Sequence, residues 1–499
     1  MKQNFLDKAI GFISPSAGYK RAMYREATRS YYDAAQMSRE NGRWNSTNTT
    51  AEVADTMDRN IIRARARDLE RNSDFMENLV LPYVNNVVGN GFTLQAKIKE
   101  DDENASELNK EIERLFKSWS RHKNCDIMGQ QSFKELCETA IRRMRVDGGI
   151  IFVKVYDDRG EFPFKLQALE VDSLNESLNS IYMPNKNNVI GGIEIDEYNR
   201  PIKYHFKKVS LDGYEQFEED IAIDADRVMF LFMKNRPTQL REISPMAKTL
   251  KRIKDIDSFM EALQIKERVS ACLSAFITQV DNAGFGGGRN NNRVDADSGY
   301  KQQTLAPGMI MKLKPGEGVQ VVNPTNGAAN AEAYIQTQQR ISGAGQGLSY
   351  EASSRDMSKV NYSSARQGLL EDRKEYKKYQ NYMIEHFLDE VYEEFVTMLV
   401  MEQMIDVDLI DFLENKEKYL EHKWIATGWD WIDPLKEVNA NSKAVAENID
   451  TLERICAEKG LDWKEVLEQR KREIEFVNSM YPEKETEDTE KETEKEVNN

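Results

Sequence analysis

No run of apolar residues in this 499-residue sequence approaches the roughly 18 that a membrane-crossing helix requires, so a spanning protein is not expected. The opening MKQNFLDKAIGFISPSAGYK lacks the apolar core of a secretory leader. The Asn-x-Ser/Thr matches at Asn45, Asn48, Asn104, Asn175 and Asn361 are therefore chance. Cysteine is scarce. Cys125, Cys137, Cys272 and Cys456 form no Cys-x-x-Cys pair, which favours reduced thiols and argues against metal held by cysteine. His122, His205, His386 and His422 are the only histidines and sit in unrelated contexts that read as surface or core-edge positions. GxxxxGK[ST], HExxH and GxSxG are all missing. GAGQG at 343–347 looks like a phosphate loop, but it follows a helical pattern where a strand is required. No catalytic residue, metal site or cofactor is nominated. With a formal net charge of -16, binding to nucleic acid by a broad basic face is not the default, and a local patch stays open.

What is present is charge and periodicity. Charged residues make up 31% of the chain against 40% hydrophobic, a balance that suits long exposed helices, and the length implies more than one structural unit. Residues 51–89 read as a helical segment carrying Arg63, Arg65, Arg67 and Arg71, placed for salt bridges, a subunit interface or phosphate. GNGF at 89–92 turns the chain, and helical periodicity returns from Glu103 to Arg145. After DGG at 147–149 the period changes to that of strands in IIFVKVYDD, FKLQALEV, GGIEIDEYNRPIKYHFKKV and RVMFLFM, with YNRP as a hairpin turn. Ser244 to Gln279 is predicted as one helix opened by Ser244-Pro245. The Gly/Asn-rich tract after it is read as a mobile loop. LAPGMIMKLKPGEGVQVVNP then offers two strands around KPGEG, and AEAYIQTQQRIS resumes a helix.

NYSSARQGLLEDRKEYKKYQ opens the last long helix, 363 to about 403, with Ser363 or Ser364 as the expected cap and Leu369, Leu370, Tyr376 and Tyr379 at helical spacing. A further helical stretch runs from about Pro434 to Met480. The tail PEKETEDTEKETEKEVNN has too little apolar content to fold.

The order of RARARDLERNSDFMENLVLPYVNNVVGNGFTLQA, LQALEVDSL, GGIEIDEYNRPIKYHF, DRVMFLFMKNRPTQLREISPMAKTLKRIKDIDSFMEA, LAPGMIMKLKPGEGVQVVNP and NYSSARQGLLEDRKEY resembles the lambda-family phage portal proteins over residues 15–480. The insert at 283–293 and the acidic tail depart from that pattern. The resemblance implies an α+β portal-like fold with long stem and tunnel helices, a β-rich wing, a small clip and a helical C-terminal region. It assigns residues 1–244 and 347–433 to the wing, and 245–279 and 330–346 to two stem helices around a clip at 280–329. The crown would occupy 434–480 and the acidic tail 481–499.

The same resemblance implies a homo-oligomeric ring, dodecameric in such portals, at one vertex of the virion capsid. Double-stranded DNA would pass through its channel without base readout, because the ring's symmetry does not match that of the duplex. Implied partners are the terminase, the major capsid and scaffold proteins and head-completion or tail proteins, with assembly in the host cytoplasm. Tyr350, Arg355, Met357 and Lys359 would lie on a mobile tunnel loop at 348–360, and Asn361, Tyr362, Ser363, Ser364 and Arg366 would open the tunnel helix at a subunit interface. Two other classes remain open: a metal-dependent DNA-processing enzyme of a phage or mobile element, and a helical scaffold without a channel.

Overall fold

The computed structural model describes residues 10, 12–27, 39, 44–98, 103–180, 187–207, 220–271, 275–279, 317–321, 328–358, 361–429 and 434–480. The chain divides into two units, Met1–Ala54 and Asp55–Asn499. In the first, helix α1 spans Pro15–Ala27, and a five-residue helix at Ala51–Asp55 runs up to the border between the units.

The second unit is organised on both sides of one strand, β2, Gly149–Tyr156. Successive side chains of a strand point to opposite faces, so a continuous apolar run implies burial on both. Ile150 and Phe152 enter a large core, while Ile151 and Val153 enter a smaller one. Antiparallel neighbours flank β2: β3, Phe164–Leu169, and β8, Val228–Phe232, with Ile151 opposite both Leu169 and Phe230. The smaller core lies between this sheet and a four-stranded antiparallel one of β4, Asn188–Ile190, β5, Ile193–Ile195, β6, Pro201–Phe206, and β7, Ile221–Asp224. The YNRP hairpin joins β5 to β6 as the sequence predicts. Asp196 Oδ1 accepts bonds from the backbone of Tyr198 and Arg200, both at 2.8 Å, and Asn199 takes φ 62°.

Helices build the large core. They are α2, Arg59–Asn72; α3, Asp74–Tyr83; α4, Glu103–Trp119; α5, Phe133–Val146; and, further on, α9, Tyr362–Met383, continuing through a π turn at Ile384–Leu388 into α10, Asp389–Met401. Phe387 packs at a tilt against Phe152, ring centroids 4.5 Å apart, and Trp119 lies parallel to Phe164 with its indole N–H donating to that residue's carbonyl at 2.8 Å. The helical reading of 51–89 is divided, because Ser73 breaks it by accepting a bond from the Met76 backbone and so capping α3. Gly148 has φ 100°, and a Cβ there would meet the Ile243 carbonyl carbon at 2.5 Å; only glycine fits between α5 and β2.

The predicted helix from Ser244 to Gln279 is shorter than expected. Ser244 does cap it, but over Pro245–Lys248 as a 3₁₀ turn; α6 then runs Leu250–Ala271, and β9, Ala275–Gln279, takes over. β9 pairs antiparallel with β10, Glu317–Val321, a long-range bond pattern that local periodicity cannot reveal. The Gly/Asn-rich tract, the strand expected before KPGEG and the acidic tail lie outside the described residues. α7, Ala328–Gly345, follows, then the short α8, Tyr350–Ser354. Near the C-terminus β11, His422–Ile425, pairs with β1, Thr93–Ala96, and the stretch 434–480 is three helices: α11, Pro434–Ala446, α12, Leu452–Glu458, and α13, Trp463–Met480. Lys97 and Lys423 both reach Glu453 Oε1, at 2.9 and 2.6 Å, and tie α12 to that strand pair.

Candidate functional site

The arginine question raised by residues 51–89 is answered by helical phase. Arg63 and Arg67, four residues apart, point inward, while Arg65 and Arg71 stay exposed. Arg63 meets Asp172 at 2.8 Å, Glu176 at 3.0 Å and Glu242 at 2.7 Å. Arg67 holds both oxygens of Asp147, at 2.8 and 2.9 Å, and reaches Asp172 at 2.6 Å. Arg241, fully buried beside Glu242, donates to the carbonyls of Gly191 and Val171, each at 3.0 Å. Burial opposes the charge on Arg67, but the paired bonds to Asp147 hold its pKa above the ordinary value. These carboxylates bind Arg63 and Arg67 within the chain, which corrects the phosphate or interface reading for those two. The lattice ties α2 to both sheets.

A second buried arginine makes a different junction. Arg145, on α5, lies 3.9 Å over the ring of Tyr83. It donates to Tyr379 Oη at 2.9 Å and to Gln346 Oε1 at 2.7 Å. Gln346 in turn donates to the Pro245 carbonyl at 3.0 Å and Thr249 Oγ1 at 2.9 Å, while its own carbonyl accepts from Tyr83 Oη at 2.6 Å. One glutamine therefore fastens the end of α7 to the start of α6, to α3 and, through Arg145, to α9. Burial pushes the Tyr83 hydroxyl well above its usual range. Sequence reasoning missed this centre. Its signal was present: Arg145 lies one turn beyond Ile141 on the buried face of α5, where only a partnered arginine is tolerated.

The junction also explains GAGQG. A Cβ on Gly343 would meet Ser353 Oγ at 2.6 Å, so the glycine lets α8 lie close against α7. Ser349 caps α8 by accepting from the Ala352 backbone at 3.2 Å and donates from Oγ to Asp372 of α9 at 2.6 Å. Burial raises the Asp372 pKa, and the bonds from Ser349 oppose that rise.

Residues 348–360 were expected as a mobile loop, yet Tyr350–Ser354 is helical, Leu348 and Ser353 are buried, and Ser349 is anchored. Paired bonds with α9 stabilise a short turn whose composition alone suggests mobility. Tyr350 lies beneath Arg340 at 4.9 Å and donates to Asp356 at 3.2 Å. Arg355 ends α8 in the left-handed region at φ 58° and is exposed, as is Met357. Lys359 lies outside the described residues. The cap of α9 is Asn361, whose Oδ1 accepts from the Ser364 backbone at 2.9 Å; neither Ser363 nor Ser364 supplies it. Ser363, Ser364 and Arg366 are exposed on the first turns behind Tyr362. Among the histidines, His422 sits between Leu420 O at 2.6 Å and Asp389 at 3.0 Å, a structural setting at the edge of the core. Among the described residues no cluster of three or more His, Cys, Asp or Glu side chains is placed to hold a metal.

Helix ends gathered on one glutamine, and a short helix seated on a long one, make a body built on helix–helix junctions. The chain belongs to the lambda family of phage portal proteins, whose family model matches residues 37–380. It is 26% identical over 455 residues to the probable portal protein of Halomonas phage phiHAP-1, covering 89% of this chain and 86% of that one. It is 20% identical over 443 residues to portal protein B of Escherichia phage lambda, covering 82% of each. A chain from the neck of a native gene transfer agent particle computed with C12 symmetry aligns with TM-score 0.38 at 13% identity, over 61% of this chain and 74% of that chain. A chain from the virion of the native gene transfer agent particle aligns with TM-score 0.41 at 11% identity, over 82% of this chain and 93% of that one. The family to which it belongs is structural and not enzymatic.

Proposed function

We propose that the protein forms a closed ring, dodecameric in the assembled particle, at one capsid vertex, through which double-stranded DNA is packaged by the terminase and later ejected. The observation that carries this reading is the family match over residues 37–380, which takes in α6, α7, α8 and all but the last turn of α9. In this reading α6 and α7 are the stem helices, residues 280–329 the clip, and residues 1–244 and 347–433 the wing. Residues 434–480 are the crown, and the acidic tail at 481–499 is dispensable for folding. The clip meets the terminase and then head-completion or tail proteins, and the wing meets the major capsid and scaffold proteins during assembly in the host cytoplasm.

The segment after α8, with Arg355, Met357 and Lys359, faces the channel and touches DNA, with Tyr350 at its base and α9, from Asn361 to Arg366, beside a neighbouring subunit. Exposure of Arg355 and Met357 next to a firmly anchored α8 supports that placement. A chain of net charge -16 does not grip phosphates broadly, so the polymer slides. Negative-stain images and native mass of the purified protein test the ring, with twelve or a neighbouring number of subunits expected; a monomer or dimer at every concentration overturns it. The double variant Arg355→Ala with Met357→Ala, which leaves α8 intact, should form rings yet package or retain less DNA. Packaging and retention equal to wild type remove the channel role.

A further inference from the structure

α9 has two unlike faces. Gly368, Asp372, Tyr376 and Tyr379 turn toward α8 and the core, with Ser349 Cβ only 3.2 Å from where a Gly368 Cβ would stand. Roughly 120° round the helix, at 3.6 residues per turn, Arg366, Leu369, Leu370 and Lys377 form an exposed stripe. Leu369 and Leu370 are 37% and 38% exposed, with Arg366 one turn before them and Lys377 two turns after. Spacings of i, i+3, i+4 and i+11 are those of a helix that lays an apolar edge into a groove.

A groove of complementary character exists on the same chain. Between α6, α7 and α8 lies a cavity of about 520 Å³ whose apolar floor includes Met260, Leu263 and Ile335 and whose rim carries Glu267, Glu332 and Asp356. Apolar edge meets apolar floor, and cations meet carboxylates. The match is not made within one chain, because α8, one wall of the groove, sits against a different face of α9, roughly 120° from the stripe.

We propose that the Arg366–Leu369–Leu370–Lys377 stripe of one subunit docks in the Leu263–Glu267–Glu332 groove of a second copy of this chain. A rotationally closed ring needs two different, mutually complementary surfaces on each protomer, and these two meet that requirement. The contact couples the opening of α9 in one subunit to α6 and α7 in the next. This inference rests on the ring reading and specifies which surfaces close the ring.

The test uses full-length protein. Arg366→Glu with Lys377→Glu reverses the stripe, and Glu267→Lys with Glu332→Lys reverses the rim; all four sites are exposed. Native mass should show the ring fraction falling at least tenfold in either reversed protein and recovering when all four substitutions are combined. A Leu370→Cys, Leu263→Cys protein, with Cys272→Ser, should give a ladder of covalent oligomers on oxidation. Rings unaffected by either reversal, failure of the fourfold variant to recover, or a cross-link confined to single chains overturns the pairing while leaving the ring reading intact. Rings that persist in the stripe-reversed protein but lose DNA assign the stripe to DNA and overturn the pairing as well. Wild-type protein that never forms a ring overturns both readings.

Discussion

Arg63 and Arg145 are equally buried, at 3% exposure each, yet the chain stabilises them in opposite ways. Arg63 is surrounded by Asp172, Glu176 and Glu242 in a lattice shared with Arg67 and Arg241. Arg145 has the face of Tyr83, the hydroxyl of Tyr379 and one amide oxygen, and among the described residues no carboxylate forms an ion pair with it. Its Nε is buried without a hydrogen-bond partner. A lattice of full charges locks one geometry, since each ion removed leaves others uncompensated. Neutral partners hold more weakly and are less committed to one geometry. The lattice sits within the body, joining α2 to the sheets; the neutral junction sits where the ends of α6 and α7 meet α3 and α9.

That contrast can be broken most directly by Arg63→Ala, which leaves buried Glu242 with Arg241 as its ionic partner and uncouples Asp172 and Glu176 from Arg63, and should cost about 3–5 kcal/mol in urea unfolding. Arg145→Met keeps the bulk and leaves only dipoles unpartnered, so about 1–3 kcal/mol is expected. Equal losses for the two would abolish the distinction.

Acid sharpens it. Burial alone would raise the Glu176 carboxyl, but Arg241 and Arg63 hold it below its ordinary 4.5. A depressed carboxyl contributes stability fully above pH 4.5, and that contribution is lost as pH falls through the lower folded-state value. Amide exchange in α2 should therefore accelerate below pH 4.5 before exchange around Arg145 and Gln346 does; simultaneous loss would show that charge is not what separates the regions. The Glu453 carboxyl, held near 2 by hydrogen bonds from Lys423 and then Lys97, should release α12 across pH 4.5 to 2, an effect local to residues 452–458 and visible in their exchange. Smallest of all, Asn361→Ala removes an exposed cap and should cost about 1 kcal/mol, fraying the first turn of α9 without disturbing either arginine site.

The two regions were legible to different degrees. α2, the β2 hairpin system and the length of α9–α10 follow from periodicity and turn chemistry. The phosphate possibility for Arg63 and Arg67 came from reading a cluster without its partners, since Asp172, Glu176 and Glu242 lie more than a hundred residues away. Ser363 and Ser364 are good caps by type, but Asn361 is the last residue in the extended region before the helix begins at Tyr362. The reading of 348–360 as a loop failed because a five-residue helix is marginal alone and exists here through Ser349 and Asp372, a bond between separate elements.

By itself the sequence determined the helical and strand periods, the glycine at Gly148 and the family likeness, all carried by local conformational preference and residue order. Only the tertiary structure decided that Gln346 ties the end of α7 to α6, α3 and, through Arg145, α9, that Arg145 is held by tyrosines, that β9 replaces the end of a predicted helix, and that α9 turns a leucine and cation stripe outward. These depend on which distant groups satisfy one another's hydrogen bonds and charges once buried, a condition that no local window of sequence contains.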